Sequence, residues 1–484
     1  MNPARSRPGR SSGWFRQLST PLLCLWLAVA THAQQRNDPN RPRWRMTDRP
    51  NIVLILADDL GWGATGPYGQ EKIRTPNLDR LAAEGMRFTQ AYAGSTVCAP
   101  SRCSLMTGRH TGHARIRSND EIPLQPEDVT LAEVLRGVGY RTSAVGKWGL
   151  GWQNTTGHPR QQGFEEFYGF LGHLDAHNYY PPTLWRNEEE VPLRGNQNAG
   201  RQVYAPDEFL LAATNTIRLY QNHPFFLYYA PTLPHANNER GTNGMEIPSA
   251  GEYAGKPWPA PERNKAAMIT RLDADVGRLL DALRYFKVEL DTIVIFTSDN
   301  GPHVEGGTST NYFRDAGPFR GIKRDLYEGG IRVPLIVRWP GVIPAGKVSD
   351  RPVAFWDLLP TVAELARATV PKGLDGLSFA PTLRGRQQTN QHEHFYWEFH
   401  EGGYRQAVRL GDWKAVRLDV GRPLELYDLA QDPGEARNVA AANPEILARV
   451  ETILKSAADP WVKPVSTIPP PAWKEPAPAA APPR

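Results

Sequence analysis

Residues Asn51 to Ala57 form a continuous apolar run, Ile-Val-Leu-Ile-Leu-Ala after the leading Asn, and two carboxylates, Asp58 and Asp59, follow it directly. A half-exposed strand would alternate polar and apolar side chains, so an unbroken run predicts a central parallel strand covered on both faces. The pattern returns along the chain. Thr75-Pro76 opens a helix through Ala83 that Gly85 can close. A helix at about 131–136 leads to a strand at 141–145 that exits at Lys147, and another at about 207–220 leads to a strand at 225–229 with His235 soon after. The longest helix, about 263–286, precedes a strand at 292–297 that exits at Asp299-Asn300, and a last strand, 333–337, follows the segment holding Lys323. This alternation predicts an α/β fold with a large, mostly parallel sheet sandwiched by helices. Ligands bind at the carboxyl ends of such strands, so Asp58, Asp59, Lys147, His235, Asp299 and Asn300 are expected to share one cleft.

Between these elements stands Cys98-Ala99-Pro100-Ser101-Arg102, with Thr107-Gly108-Arg109 downstream. Pro100 suits a first helical turn and Gly108 a helix end, so the thiol is placed at a helix start. Unpaired N–H groups and the positive dipole end there favour an oxyanion, and Arg102 adds a fixed cation. Most free Cys residues are simply small buried hydrophobes. Asp58, Asp59, Asp299 and Asn300 offer four hard oxygen donors of the kind Ca²⁺ takes, although Asp-Asn-Gly alone is also a common turn.

The first thirty-three residues carry Arg5, Arg7, Arg10 and Arg16, no acid, then an apolar run from Leu22 to Ala30 and Thr-His-Ala. That order predicts a secretory signal, residues 1–33, and an exported protein, periplasmic or secreted. The formal net charge of +5 falls to +1 without those arginines, so no nucleic-acid surface is implied. No later stretch is long enough to span a bilayer. Residues 34–48 read as a flexible lead-in and 464–484, rich in Pro and Ala, as a disordered tail. From about residue 389 to 463 short strand-like runs at 394–399, 406–410, 413–418 and 424–428 precede a helix at 444–457, which predicts a small antiparallel α+β domain beside a catalytic domain at 49–388. Cys98 and Cys103, the two cysteines beyond residue 33, could in principle pair in an exported protein.

The Cys-x-Pro-Ser-Arg and Thr-Gly-Arg blocks, together with Lys323-x-x-x-Tyr327-Glu328-Gly329-Gly330, resemble the signatures of the type I sulfatases, members of the alkaline phosphatase superfamily. The resemblance runs strongly from about residue 50 to 385. It implies that Cys98 is the modified residue, converted to formylglycine by a formylglycine-generating maturation enzyme, and that Ca²⁺ sits on Asp58, Asp59, Asp299, Asn300 and the modified Cys98. It also implies Arg102, Lys147 and Lys323 as sulfate-site cations and His235 as proton donor to the departing alcohol. Arg324 is the rival for the place of Lys323; the spacing to Tyr327 favours Lys323. Many sulfatases have Lys-x-His where this chain has Lys147-Trp148-Gly149, so a second His is missing and His303 or a water would have to compensate.

The stretch from Gly172 to Arg186 is dense in polar and aromatic residues and reads as a long loop at the cleft mouth. Asp175 and His177 are expected to grip sugar hydroxyls, with Trp185 offering a ring face, which favours a sulfated carbohydrate as substrate. A phosphomono- or diesterase of the same superfamily, and an inactive protein that binds sulfated glycans, are the alternatives; the oxygen-rich metal set and the modifiable Cys favour sulfate.

Overall fold

The computed structural model describes residues 49–120 and 122–461; the signal at 1–33, the lead-in at 34–48 and the tail at 464–484 lie outside them. The leading run becomes β1 (Asn51–Ala57), buried at every position. Its side chains feed two cores: Ile52, Leu54 and Leu56 join one, Val53, Ile55 and Ala57 the other.

The further strands are β2 (Met86–Tyr92), β3 (Arg141–Lys147), β4 (Glu166–Phe170), β5 (Thr183–Arg186), β6 (Glu189–Pro192), β7 (Phe225–Ala230), β8 (Thr292–Ser298), β9 (Arg332–Arg338), β10 (Lys347–Ser349) and β11 (Val353–Ala354). They form one sheet in the order β10-β2-β9-β8-β1-β7-β3-β4-β5-β6, with β11 also on β2. Of the helices, α1 (Pro76–Glu84), α4 (Ala205–Tyr220) and α5 (Ala260–Tyr285) cover the second core. The first is covered by α2 (Cys98–Thr107), α3 (Leu131–Arg136) and α6 (Leu358–Leu365).

The centre, β8-β1-β7-β3-β4, is parallel as expected. The strand at 333–337 is antiparallel to both β8 and β2, because a long loop rather than a crossover helix delivers it. The stretch expected as one long loop at 172–186 ends instead in a hairpin, with Trp185 opposite Glu190.

A second sheet, β12 (Phe395–Phe399), β13 (Arg405–Leu410), β14 (Trp413–Arg417) and β15 (Glu425–Asp428), is antiparallel in that order. On one face Tyr396, Val408 and Leu426 meet Val450 of α7 (Pro444–Ser456). On the other, Trp397, Ala407 and Val416 pack against Tyr92, Leu326 and Tyr327 of the larger body. Within that contact the Lys414 amine donates to Glu328 Oε1 at 2.9 Å, while Tyr92 and Arg332 donate to Glu328 Oε2 at 2.7 and 3.0 Å. Burial works against ionisation of Glu328, but Lys414 and Arg332 outweigh it and hold the carboxyl at about 2. Burial, and then the Glu328 charge, push neighbouring Glu435 up to about 7. Removing one member of such a network strands the others in a dry place. Lys414→Met is therefore expected to destabilise the protein by about 3–5 kcal/mol, read as a fall in Tm; an unchanged melting curve would show the network to be energetically idle.

Candidate active site

Because β1 and β8 pair in register as far as Ala57 opposite Ser298, the next residues, Asp58 and Asp299, emerge side by side. Asp59 turns out of the strand with a left-handed backbone (φ 63°), and its N–H donates to Asp299 Oδ1 at 3.1 Å. Lys147 ends β3 on the same edge and His235 follows β7. Cys98 is the first residue of α2, two positions earlier than Pro100 suggests, and Gly108 ends the helix in the left-handed conformation.

Three carboxylates and three cations interlock here, all buried. The Lys147 amine donates to Asp58 Oδ2 at 2.8 Å; Arg102 donates to Asp299 Oδ2 through Nη2 at 2.8 Å and Nε at 3.0 Å, and to the Lys147 carbonyl at 2.8 Å. Lys323 Nζ donates to Asp59 Oδ2 at 2.8 Å and lies 2.9 Å from His235 Nε2. The Cys98 thiol is 3.5 Å from Asp58 Oδ1. Of these groups Cys98, His235 and Lys323 line a pocket of about 270 Å³, together with His173, His177, Asn119 and Arg324.

Burial alone would raise the Asp58 carboxyl, but Lys147 and the other cations hold it well below the usual range. Asp299 goes the other way, up to about 7, through burial and the adjacent Asp58 charge. Burial lowers His235 well below its ordinary value, and the Lys323 ammonium adds to this. Its Nδ1 faces the Ala236 carbonyl at 2.6 Å, so the neutral ring donates there and its Nε2 accepts from Lys323. Burial and Asp58 push the Cys98 thiol well up despite Lys147.

Asp58, Asp59, Asp299 and Asn300 fit a hard divalent cation. Asn300 Oδ1 is buried without a hydrogen-bond partner while its Nδ2 donates to Asp59 Oδ1 at 2.7 Å, and a carboxyl raised by its neighbour's charge is what a bound cation relieves. Asp58, Asp59, Cys98 and His235 also lie close enough to share an ion. The oxygen set is the better one, because His235 Nε2 already accepts from Lys323.

The glycines of the Lys323 block have a steric cause. A Cβ on Gly329 would lie 2.3 Å from the Gly321 carbonyl oxygen, and one on Gly301, just after Asn300, 2.0 Å from that of Gly329. Only bare backbone lets the loop close on the Asp299-Asn300 turn. Arg324, the rival, reaches away to Glu305 at 2.8 Å and is half-exposed.

The three residues assigned to sugar contact separate. His177 rims the Cys98 pocket, its ring stacked on His235 at 4.6 Å and 14°. Asp175 and Trp185 line a larger neighbouring chamber. His303 is occupied elsewhere: Nδ1 accepts from the Glu305 N–H at 3.0 Å and Nε2 faces the Pro234 carbonyl at 3.4 Å. His173, not singled out in the sequence, stands beside Gly149; its Cβ would be 3.6 Å from a Cβ there. Asn119 was also missed; its Oδ1 accepts the Ala99 N–H at the start of α2 at 2.9 Å. Neither sits in a periodic element, so no sequence signal marks them.

The chain is similar to known proteins over most of its length. The family model described as Sulfatase matches residues 50–368, and the model described as N-sulphoglucosamine sulphohydrolase, C-terminal, matches residues 320–458. Human arylsulfatase A is 34% identical over 475 residues, covering 85% of this chain and 88% of its own. Pig N-acetylgalactosamine-6-sulfatase is 35% identical over 404 residues, covering 76% and 71%. Among solved structures, Ps i-CgsB in complex with k-i-k-neocarrahexaose superposes with a TM-score of 0.74 at 30% identity over 84% of this chain and 92% of that one. The α/β sandwich with its small antiparallel sheet is thus the alkaline-phosphatase-like sulfatase fold, and the chain, a sulfuric ester hydrolase, belongs to the type I sulfatase family.

Proposed function

We propose that the protein is an exported, periplasmic or secreted, formylglycine-dependent sulfatase that removes sulfate from a sulfated carbohydrate. The observation that carries this is the single buried cluster in which Cys98, at a helix start, faces Asp58 and is ringed by Lys147, Arg102, Lys323 and His235. N-acetylgalactosamine-6-sulfatase among the relatives and the neocarrahexaose held by Ps i-CgsB support a sugar sulfate.

Asp58, Asp59, Asp299 and Asn300 would hold Ca²⁺. When bound, that ion would polarise a sulfate oxygen and offset its charge, while the hydrated aldehyde made from Cys98 would supply the attacking oxygen. Lys147, bonded to Asp58, and Lys323, bonded to Asp59, would hold the sulfate, and Arg102 fixes Asp299 against α2. The proton for the departing alcohol would come from the Lys323 ammonium, which His235 Nε2 holds in place while its Nδ1 donates to the Ala236 carbonyl. His173, whose Cβ lies 3.6 Å from where a Cβ on Gly149 would stand and which lines the Cys98 pocket, would stand in for the missing second His and take the proton whose loss releases sulfate. His173→Ala is accordingly expected to lower kcat on the order of 10²-fold, with a burst of alcohol ahead of sulfate. An unaltered kcat would remove His173 from the reaction.

The reading is tested on the tryptic peptide spanning residues 88–102 of protein made alongside a formylglycine-generating enzyme. An aldehyde mass at Cys98, together with sulfate release from a sulfated sugar, is expected. An intact thiol from a maturing enzyme active on a control peptide would rule it out.

A further inference from the structure

Beyond the Cys98 pocket lies a chamber of about 620 Å³, more than twice the pocket's 270 Å³. Leu174 lines both spaces, and the pair His177 Nδ1 to Glu239 Oε1, 3.3 Å apart, joins a residue of the pocket to one of the chamber. Asn237 and Asn238 likewise face one space each. The two spaces thus meet at Leu174, and an extended ligand reaching from one into the other would pass it.

We propose that this chamber binds an uncharged sugar unit next to the sulfated one, so that the preferred substrate is a sulfated oligosaccharide rather than a lone sugar sulfate. The proposal rests on the sulfatase reading of the Cys98 pocket. The outer wall is the β5–β6 hairpin, in which Trp185 and Glu190 are cross-strand partners presenting a ring and a carboxylate to the same side. Tyr180 adds a second ring, held by the Arg201 guanidinium 4.1 Å above it. Ring faces with hydroxyl-accepting carboxylates are the chemistry that binds pyranoses, and the volume lies within the range of ligand sites, about 300–1,000 Å³. Charge argues for a neutral occupant. Asp175, Glu190 and Glu239 line the chamber against Arg201 and Arg240, and both guanidiniums already share the buried Glu246, at 2.6 and 3.4 Å. A second sulfate or carboxylate would meet more anions than cations, whereas hydroxyls meet acceptors.

Binding of unsulfated oligosaccharides, one galactan and one chitin-derived, to the full-length protein is measured by calorimetry, and turnover of the monosulfated oligosaccharide is compared with that of the sulfated monosaccharide. One of the unsulfated probes is expected to bind, and kcat/KM is expected to favour the oligosaccharide by about tenfold or more; Trp185→Ala and Glu190→Ala should each weaken binding and shrink that ratio several-fold. Glu190 is exposed on the hairpin, so its variant keeps the test open if Trp185→Ala misfolds. No binding of either probe, or binding indifferent to both substitutions, overturns the proposal. Absence of turnover on an aryl sulfate would count against the Cys98 pocket, and the binding arm would still decide the chamber.

Discussion

Cys98→Ala lowers sulfate release on the order of 10⁴-fold or more and leaves the melting temperature nearly unchanged. The thiol's hydrogen bond is long, 3.5 Å to Asp58, and Ala is smaller by a single sulfur atom, so the substitution unpicks little of the packing. The thiol itself is a poor nucleophile here: burial and Asp58 push it well above its ordinary value, and little thiolate exists at neutral pH. On the proposed reading the reacting oxygen comes from the converted Cys98 side chain, and Cys98→Ser, which no cysteine-directed maturation acts on, is expected to fail as completely as Ala. Turnover retained by Cys98→Ala would place the nucleophile elsewhere. Melting curves recorded alongside separate this from misfolding.

Lys323→Ala is the second large effect, a fall in kcat of about 10²–10³-fold, against a small change for Arg324→Ala. The Lys323 ammonium touches both Asp59 and His235 inside the site, whereas the Arg324 guanidinium is half-exposed and directed at Glu305. Lys323→Arg should not rescue, since a planar fork cannot replace a compact ammonium between a carboxylate and an imidazole nitrogen. Steady-state kinetics on one sugar sulfate decides the matter. If Arg324→Ala proved the more damaging, the assignment of the two would be reversed.

Asp58, Asp59, Lys147, Asp299 and Asn300 were legible because each follows a strand whose apolar run announces itself, and parallel neighbours bring their exits to one edge. The helix start at Cys98 was legible within two residues, from Pro100 and Gly108. The strand β2 was not, because Arg87, Thr89 and Gln90 are only half-buried and break the run. The direction of β9 depends on the path of the long loop before it, which no periodicity encodes. His173 sits in a loop where a lone imidazole looks like any other, and its relation to Gly149 exists only in three dimensions. Trp185 is expected from the sequence to offer a ring face to a sugar, and the hairpin that carries it lines the chamber beside the Cys98 pocket.

The small sheet does more than cover a surface. Tyr327 donates to Glu425 at 2.6 Å, Arg320 to Tyr427 at 2.9 Å and Lys414 to Glu328 at 2.9 Å, so the backbone that presents Lys323 is clamped from both sides by residues far later in the chain. A premature stop codon near position 400 would thus leave every proposed sulfate and metal contact encoded, yet yield a null allele. A supplied fragment carrying the missing sheet would be the natural way to complement it.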